Sequence, residues 1–197
     1  TVELVSGETV LATAEVPIQS HDSYTPIVAI VAERPEGFAA DVGRAIANPM
    51  FGTNPSVITL RPADLPPRVE AWSAIDRLVW QDIDYAALSG PQQAALRLWV
   101  GAGGRLVLVG GTTGVGSMAG LPADMVPFVP QRTVDVSTDD LRSLLGTLPA
   151  GATTVPAVAG TLQRGAVIAR TGDLVYAAQA GYGQGAVTII GVNPATS

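Results

Sequence analysis

Short, nearly uninterrupted apolar runs recur along this chain, separated by stretches with helical spacing. Four such runs have the length and β-branched content of strands buried on both faces, as in a parallel sheet: Ile27–Ala32, Ser56–Leu60, Arg77–Gln81 and Arg105–Val109. Between residues 38 and 46 the apolar positions return at helical intervals, which predicts a crossover helix and a right-handed βαβ unit. This alternation predicts an α/β fold, a mostly parallel sheet with helices on both faces.

The clearest helix is predicted between the third and fourth of these strands. Ser89 and Gln92 form an S-x-x-Q capping box, and Pro91 lies in the first turn, where its missing N–H costs nothing. Gly103 and Gly104 end the helix in the manner of a glycine C-cap. The inward stripe is expected to consist of Ala95, Leu96, Trp99 and Val100.

The two ends of the chain differ from this middle part. Residues 1–24 are interpreted as an N-terminal β segment and linker: their apolar run, Thr9–Ile18, is the tail of a preceding β domain or an edge strand. Residues 25–197 are interpreted as one α/β domain, in which 112–180 are irregular and β-rich. Within and beyond that portion we predict a loop over 112–130, a short helix over Asp139–Leu145, strands over 155–158, 166–169, 174–180 and 186–192, and a glycine hairpin turn over 181–185.

Composition excludes several kinds of chemistry. The 197 residues carry a net charge of -6, which argues against nucleic acid and anionic lipid as partners because both require a clustered positive field. The sequence has no cysteine and no lysine, so thiol nucleophiles, disulfides, thiolate zinc sites, Schiff bases and Walker lysines are excluded. No apolar run is long enough to span a bilayer, and no cofactor is expected.

A small-residue turn follows the fourth strand. Gly110, Gly111, Thr112 and Thr113 precede Gly114, and this G-x-[C/S]-x-G spacing is the one that presents a nucleophile after a buried strand. Thr112 would be that nucleophile, but a hydroxyl needs a base. The single histidine, His21, precedes the first strand, within a His-Asp-Ser run whose neighbours cannot adopt triad geometry. We therefore expect a structural turn, with the four residues as candidate contacts for a small ligand.

Two carboxylates follow the third strand. Asp82 and Asp84 lie where ligands of open α/β sheets bind, at the carboxyl ends of the strands. Carboxylates in this spacing can bind Mg²⁺ or Ca²⁺, although helix capping and solvent exposure are commoner uses. They are the candidate metal and ligand residues of this chain.

Two further patterns bear on ligand binding. Residues 114–119, with Asp135 further on, match a loose dinucleotide fingerprint, but Pro122 and Pro127 interrupt the helix that such a loop must open, so we do not expect nucleotide binding. Trp72 and Tyr182 are the aromatic residues expected to be partly exposed, and either would suit a contact surface.

The central sequence resembles a known superfamily. The pattern D-x-L-V followed by L-S-x-x-Q-x-x-A-L-x-x-W-V-x-x-G-G-x-L-V-x-x-G-G is carried by Asp76, Leu78, Val79, Leu88, Ser89, Gln92, Ala95, Leu96, Trp99, Val100, Gly103, Gly104, Leu106, Val107, Gly110 and Gly111. It is similar to the class I glutamine amidotransferase-like (flavodoxin-like) superfamily, especially its non-catalytic branches, such as trehalose-utilisation-type domains and bacterial membrane-protein domains of unknown function. The departures concern catalysis: the elbow has no cysteine, and no histidine follows it.

The resemblance implies a non-catalytic domain of a larger bacterial protein, acting in protein interaction or small-ligand sensing. Its partners would be other domains of the same polypeptide or a second protein. It would be extracytoplasmic and anchored to the membrane through segments outside these residues, with a cytoplasmic location as the alternative. Two other functions stay open: a carboxylate- or metal-dependent hydrolase using Asp82 and Asp84, and a carbohydrate-binding module using Trp72 or Tyr182.

Overall fold

The computed structural model describes residues 2–15, 25–32, 55–110, 114–118, 120–145 and 153–193. Two α-helices lie in these ranges, α1 (Gly90–Gly101) and α2 (Thr138–Leu145). The strands are β1 (Val2–Ser6), β2 (Thr9–Ala14), β3 (Ile27–Ala32), β4 (Ser56–Leu60), β5 (Arg77–Gln81), β6 (Arg105–Val109), β7 (Arg132–Ser137), β8 (Thr154–Ala159), β9 (Ala166–Thr171), β10 (Leu174–Tyr182) and β11 (Gly185–Ile190).

A seven-stranded mixed sheet forms the centre of the molecule. Its order is β4-β3-β5-β6-β11-β10-β9. The pairings from β4 across to β11 are parallel, whereas β10 and β9 are antiparallel additions at one side. The predicted α/β fold with a mostly parallel sheet is therefore confirmed.

Helix α1 covers one face of the parallel strands. Its predicted stripe, Ala95, Leu96, Trp99 and Val100, is buried, and the Trp99 ring lies 5.4 Å from the Trp72 ring. Burial of a side chain of the size of Leu96 or Val100 contributes about 2 kcal/mol. Both predicted caps are present: Ser89 and Gln92 form the reciprocal box, and the Gly104 N–H donates to the Trp99 carbonyl at 3.0 Å.

A second core lies near the antiparallel strands. The hairpin of β7 and β8 contributes Val136, Val155 and Ala157, and α2 contributes Leu141, to a cluster that also contains Tyr176 and Ala177 of β10. In the parallel part, the face opposite α1 buries Val28, Ile30, Val79 and Val109, but the described helices do not support the prediction of helices on both faces. The crossover helix predicted over 38–46 lies outside the described residues.

The N-terminal hairpin stands apart from this sheet. β1 and β2 form a separate two-stranded antiparallel sheet, and the side chains described in it are exposed, including Leu4 (62%) and Leu11 (61%). The apolar side chains of this segment are therefore not buried against the other described residues. The linker expected over 20–23, including His21, lies outside the described residues.

The C-terminal elements follow the predicted pattern closely. The helix and the last four predicted strands are present as α2, β8, β9, β10 and β11, and the glycine hairpin is a two-residue turn between Tyr182 and Gly185. Gly183 has φ +59 there, as such turns require. Strand β7 was not predicted, because polar residues alternate along it and it has no continuous apolar run. It pairs with β8 in a separate two-stranded sheet. No described helix has the length and hydropathy needed to cross a bilayer.

Candidate functional site

The candidate site is the carboxyl edge of the parallel strands. The order of the strands reverses between β3 and β5, because β4 lies on one side of β3 and the later strands lie on the other. In open α/β sheets, ligands bind at the carboxyl ends of the strands beside such a switch point. Gln81 ends β5 at this position, and Asp82 follows it.

A buried polar cluster closes part of this edge. The Gln81 Nε2 donates to the Asn193 Oδ1 at 2.9 Å and to the Gly110 carbonyl at 3.5 Å. Gln81 and Asn193 are only 6% and 4% exposed. A buried amide must have its hydrogen bonds satisfied, so this contact ties the ends of β5 and β6 to the segment after β11. In this contact, the Gln81 and Asn193 side chains have a structural role.

Gly110 is required by close backbone contact. Its N–H donates to the carbonyls of Ile190 (2.8 Å) and Val192 (3.1 Å), and an added Cβ would overlap the Gly191 carbonyl. Its place at the strand end is as predicted. The remaining elbow candidates, Gly111, Thr112 and Thr113, lie outside the described residues.

The two candidate carboxylates have different settings. Asp82 is half-buried and has φ +52, a left-handed conformation that Asp tolerates better than most residues. Asp84 is exposed, and its Oδ1 accepts from the Ala86 N–H at 2.8 Å, which caps the 3-10 turn Tyr85–Ala87. Among the described residues, no three His, Cys, Asp or Glu side chains come together as a metal site would require.

The dinucleotide fingerprint does not form a phosphate loop. Residues Gly114–Met118 form a 3-10 turn, and Asp135 lies within β7. A Rossmann loop needs an α-helix that starts at the loop so that its N-terminus meets the pyrophosphate. The expectation that this stretch does not bind a dinucleotide stays a prediction.

The aromatic candidates separate into one buried and one partly exposed residue. The prediction that Trp72 is partly exposed is wrong: its side chain is fully buried, and its Nε1 donates to the Pro66 carbonyl at 2.9 Å. Trp72 ends the 3-10 turn Val69–Trp72, and its ring packs against Trp99 of α1. Tyr182 is half-buried and is the remaining aromatic candidate for a contact surface.

Tyr182 belongs to a small ordered cluster that the sequence does not reveal. The Arg97 guanidinium lies 5.7 Å from the centroid of the Tyr182 ring and donates two hydrogen bonds to the Asp124 carboxylate, at 2.6 and 3.2 Å. The hydrogen bond from Arg97 lowers the pKa of Asp124. Arg164 donates to the carbonyls of Asp124 and Gly181. Asp124 is therefore bound by two arginines, by Arg97 at its carboxylate and by Arg164 at its carbonyl.

Sequence reasoning missed Gln81 and Asn193. Gln81 was visible only as the last residue of a predicted strand, and Asn193 lies 112 positions further along the chain. A polar residue that ends an otherwise apolar run is the one local signal that existed for Gln81. Nothing local connects it with Asn193, because the contact depends on β11 lying beside β6.

Comparison with solved structures shows the fold. Cytoplasmic protein STM3548 from Salmonella typhimurium matches with a TM-score of 0.59 and 11% identity over 85% of this chain and 87% of that one. Cytoplasmic protein STM1381 from Salmonella typhimurium LT2 matches with a TM-score of 0.56 and 15% identity over 86% and 88%. Gan42B, a GH42 beta-galactosidase from G. stearothermophilus, matches with a TM-score of 0.52 and 14% identity, over 84% of this chain but 27% of that chain.

Comparison at the level of sequence gives no family. No protein-family description matches the chain, and no curated protein matches it. At 11–15% identity, the structural matches establish a shared fold and nothing about activity.

Proposed function

We propose that this chain is a non-catalytic, amidotransferase-like domain of a larger bacterial protein, acting in protein interaction or small-ligand sensing. The observation that carries the proposal is that polar side chains at the carboxyl edge, where this class of fold places its chemistry, are used in structural hydrogen bonds. There, Gln81 and Asn193 bond to each other, and Asp84 caps a turn. The sequence supplies no cysteine or lysine and only His21 as a histidine.

The strand order supports the amidotransferase-like, flavodoxin-like assignment. Numbered along the chain, the five parallel strands have the spatial order 2-1-3-4-5, which is the flavodoxin-like order. The comparisons add that the same fold makes up 27% of the chain of a beta-galactosidase. A role as one part of a larger protein is consistent with that use.

The test is a search for the turnover that the fold would otherwise support. We expect the purified protein to hydrolyse neither glutamine nor a nitrophenyl ester faster than buffer does, and Thr112→Ala to behave in the same way. Turnover by the unaltered protein that disappears in Thr112→Ala would overturn the proposal. A Thr113→Ala variant serves as the matched control, because it changes the neighbouring hydroxyl and leaves Thr112.

The hydrolase alternative has a separate test. A metal site would need both Asp82 and Asp84 as oxygen ligands, whereas a cap needs only an acceptor at residue 84. Titration with Mg²⁺, Ca²⁺ and Mn²⁺ is expected to give no heat of binding. Heat that is lost in both Asp82→Asn and Asp84→Asn would support the hydrolase instead.

The carbohydrate-binding alternative now rests on Tyr182, because Trp72 is buried. The Tyr182 ring borders a shallow hollow with Leu98 and Gly101, and a related fold occurs in a beta-galactosidase. Fluorescence or NMR titration with a panel of glycans decides this alternative. A response that is lost in Tyr182→Ala favours it, and a flat response across the panel removes it.

The location follows from the resemblance alone. We propose an extracytoplasmic domain anchored through segments outside residues 1–197, with the cytoplasm as the alternative; both Salmonella proteins are described as cytoplasmic. Fractionation of cells that express the complete protein would place the domain. Recovery in the soluble cytoplasmic fraction would overturn the membrane-anchored location.

A further inference from the structure

An apolar hollow of about 170 Å³ lies near the carboxyl edge of the sheet. Ile189, which lines it, is one residue from the end of β11, and the 3-10 turn Gly114–Met118 follows β6 along the chain. Its described lining consists of apolar side chains and glycines: Val115, Gly116, Met118, Gly120, Leu121, Val126, Val129, Pro130 and Ile189. The hollow is therefore at the edge where ligands of open α/β sheets bind.

Gly120 connects this hollow with the segment that follows β5. It has φ +77, and a Cβ added there would lie 3.0 Å from the Asp84 Oδ1 and 3.2 Å from the Ala86 backbone nitrogen. The hollow thus borders the turn that Asp84 caps. That turn follows one of the two strands between which the strand order reverses.

The floor of the hollow belongs to the main core. Met118, Val126 and Ile189 are 2%, 2% and 0% exposed, and they lie in the same apolar cluster as the buried stripe of α1. Protein interiors contain few voids larger than a water molecule. A hollow of this volume beside core residues therefore departs from ordinary packing.

Backbone contacts fix the outer wall, residues 126–130. The Pro127 carbonyl accepts from the N–H groups of Gln163 (2.9 Å) and Arg164 (3.2 Å), and a Cβ added at Gly160 would overlap the Val129 carbonyl. Val129 is 38% exposed, which places it at the opening. The hollow is thus preformed, as small-molecule sites usually are, because its wall cannot collapse inward without loss of these hydrogen bonds.

We propose that this hollow binds a small, uncharged apolar molecule or group, of about the size of benzene. An apolar cavity of about 150 Å³ is large enough for benzene. None of the described lining residues carries a charge, and burial of an ion without a partner is costly, so the ligand is uncharged. The inference rests on the proposed function in one respect, the sensing of a small ligand, and it names the chemical class of that ligand.

Methyl-detected NMR titration of the protein with benzene tests the site, and benzoate serves as the charged counterpart. We expect saturable shifts and intermolecular NOEs at the methyl groups of Met118, Val126 and Ile189, with a dissociation constant of about 1 mM. Benzoate should bind at least about tenfold more weakly, because its carboxylate would have no partner in the hollow.

Two variants narrow the hollow. Val115→Phe adds a ring at a half-buried position of the lining, and Val129→Phe adds one at the opening. Each should weaken benzene binding at least about tenfold, and the exposed position of Val129 keeps that test usable where Val115→Phe does not fold. Val167→Phe is the matched control: Val167 is a 42% exposed valine on β9, away from the lining, and its change should leave the affinity unchanged.

Three results would overturn the proposal. One is the absence of saturable shifts up to about 10 mM benzene, and the second is benzoate binding as tight as that of benzene. The third is benzene affinity that survives Val129→Phe or falls equally in Val167→Phe. Failure of benzene to bind leaves the non-catalytic role intact, whereas turnover that depends on Thr112 refutes that role and leaves the binding of benzene in place.

Discussion

At the scale of single residues, Gly110 shows how a candidate ligand contact can be a packing requirement. It lies against the Gly191 carbonyl, and its N–H donates to the carbonyls of Ile190, which ends β11, and of Val192. We expect Gly110→Ala to destabilise the protein by about 3 kcal/mol, because a Cβ there meets backbone that can move only if two strands separate. The urea unfolding midpoint measures this loss.

Gly90→Ala is the control for that experiment. Gly90 is the first residue of α1, and a Cβ added there would have nothing within 4 Å of it. Alanine has the better helix propensity, so the midpoint should stay the same or rise slightly. A Gly110→Ala protein as stable as Gly90→Ala would contradict the packing role of Gly110.

The Asp124 carboxylate should titrate abnormally. The hydrogen bond from Arg97 lowers its pKa below the ordinary 3.8. A lowered folded-state pKa means that this contact stabilises the fold above the unfolded pKa, and that its contribution is lost as the pH falls through the folded value. Carbon-13 NMR of the Asp124 carboxyl should show an inflection below pH 3.8, which returns toward the ordinary value in Arg97→Gln. An inflection that does not move in Arg97→Gln would refute the pairing.

At the scale of elements, the N-terminus of α1 is tied both to itself and to a neighbouring loop. Ser89 and Gln92 form the capping box, and the Gln92 Nε2 also donates to the carbonyls of Pro62 (3.1 Å) and Leu65 (2.9 Å). We expect Ser89→Ala to cost about 1 kcal/mol and Gln92→Ala about 2 kcal/mol, because the second change also removes the contacts to the loop.

Urea unfolding of the two single variants and of the double variant measures both effects and their coupling. Leu98→Ala is the control, because Leu98 lies on the same helix but is 60% exposed, and it should change the stability by less than about 0.5 kcal/mol. Equal losses in Ser89→Ala and Gln92→Ala would show that the bonds to Pro62 and Leu65 contribute nothing.

At the scale of the whole molecule, the N-terminal hairpin is expected to be thermodynamically separate. It belongs to its own two-stranded sheet, and the side chains described in it are exposed. Isolated two-stranded hairpins are marginally stable in water, so removal of residues 1–15 should leave the unfolding free energy of the rest within about 0.5 kcal/mol. A loss well above that value would show that the hairpin is part of the main folding unit.

The local sequence pattern was sufficient to predict the elements whose start, end or burial is encoded by residues within the element itself. The buried runs predicted β3, β4, β5 and β6, and the serine, proline and glycine signals predicted both ends of α1, because these features depend on neighbours within a few positions. The same reasoning failed for Trp72: its place before a strand suggested exposure, but α1 supplies Trp99 from 27 positions further along the chain. Exposure of a single aromatic residue is decided by elements distant in sequence.

The sequence by itself therefore determined the α/β class, the capped helix and the absence of thiol and lysine chemistry, since residue types and short-range periodicity fix all three. Only the tertiary structure decided which residues meet. The contact of Gln81 with Asn193 and the register of Arg77 against Arg105 both follow from the order of the strands. That order depends on how the sheet buries its two faces, and no single segment encodes it.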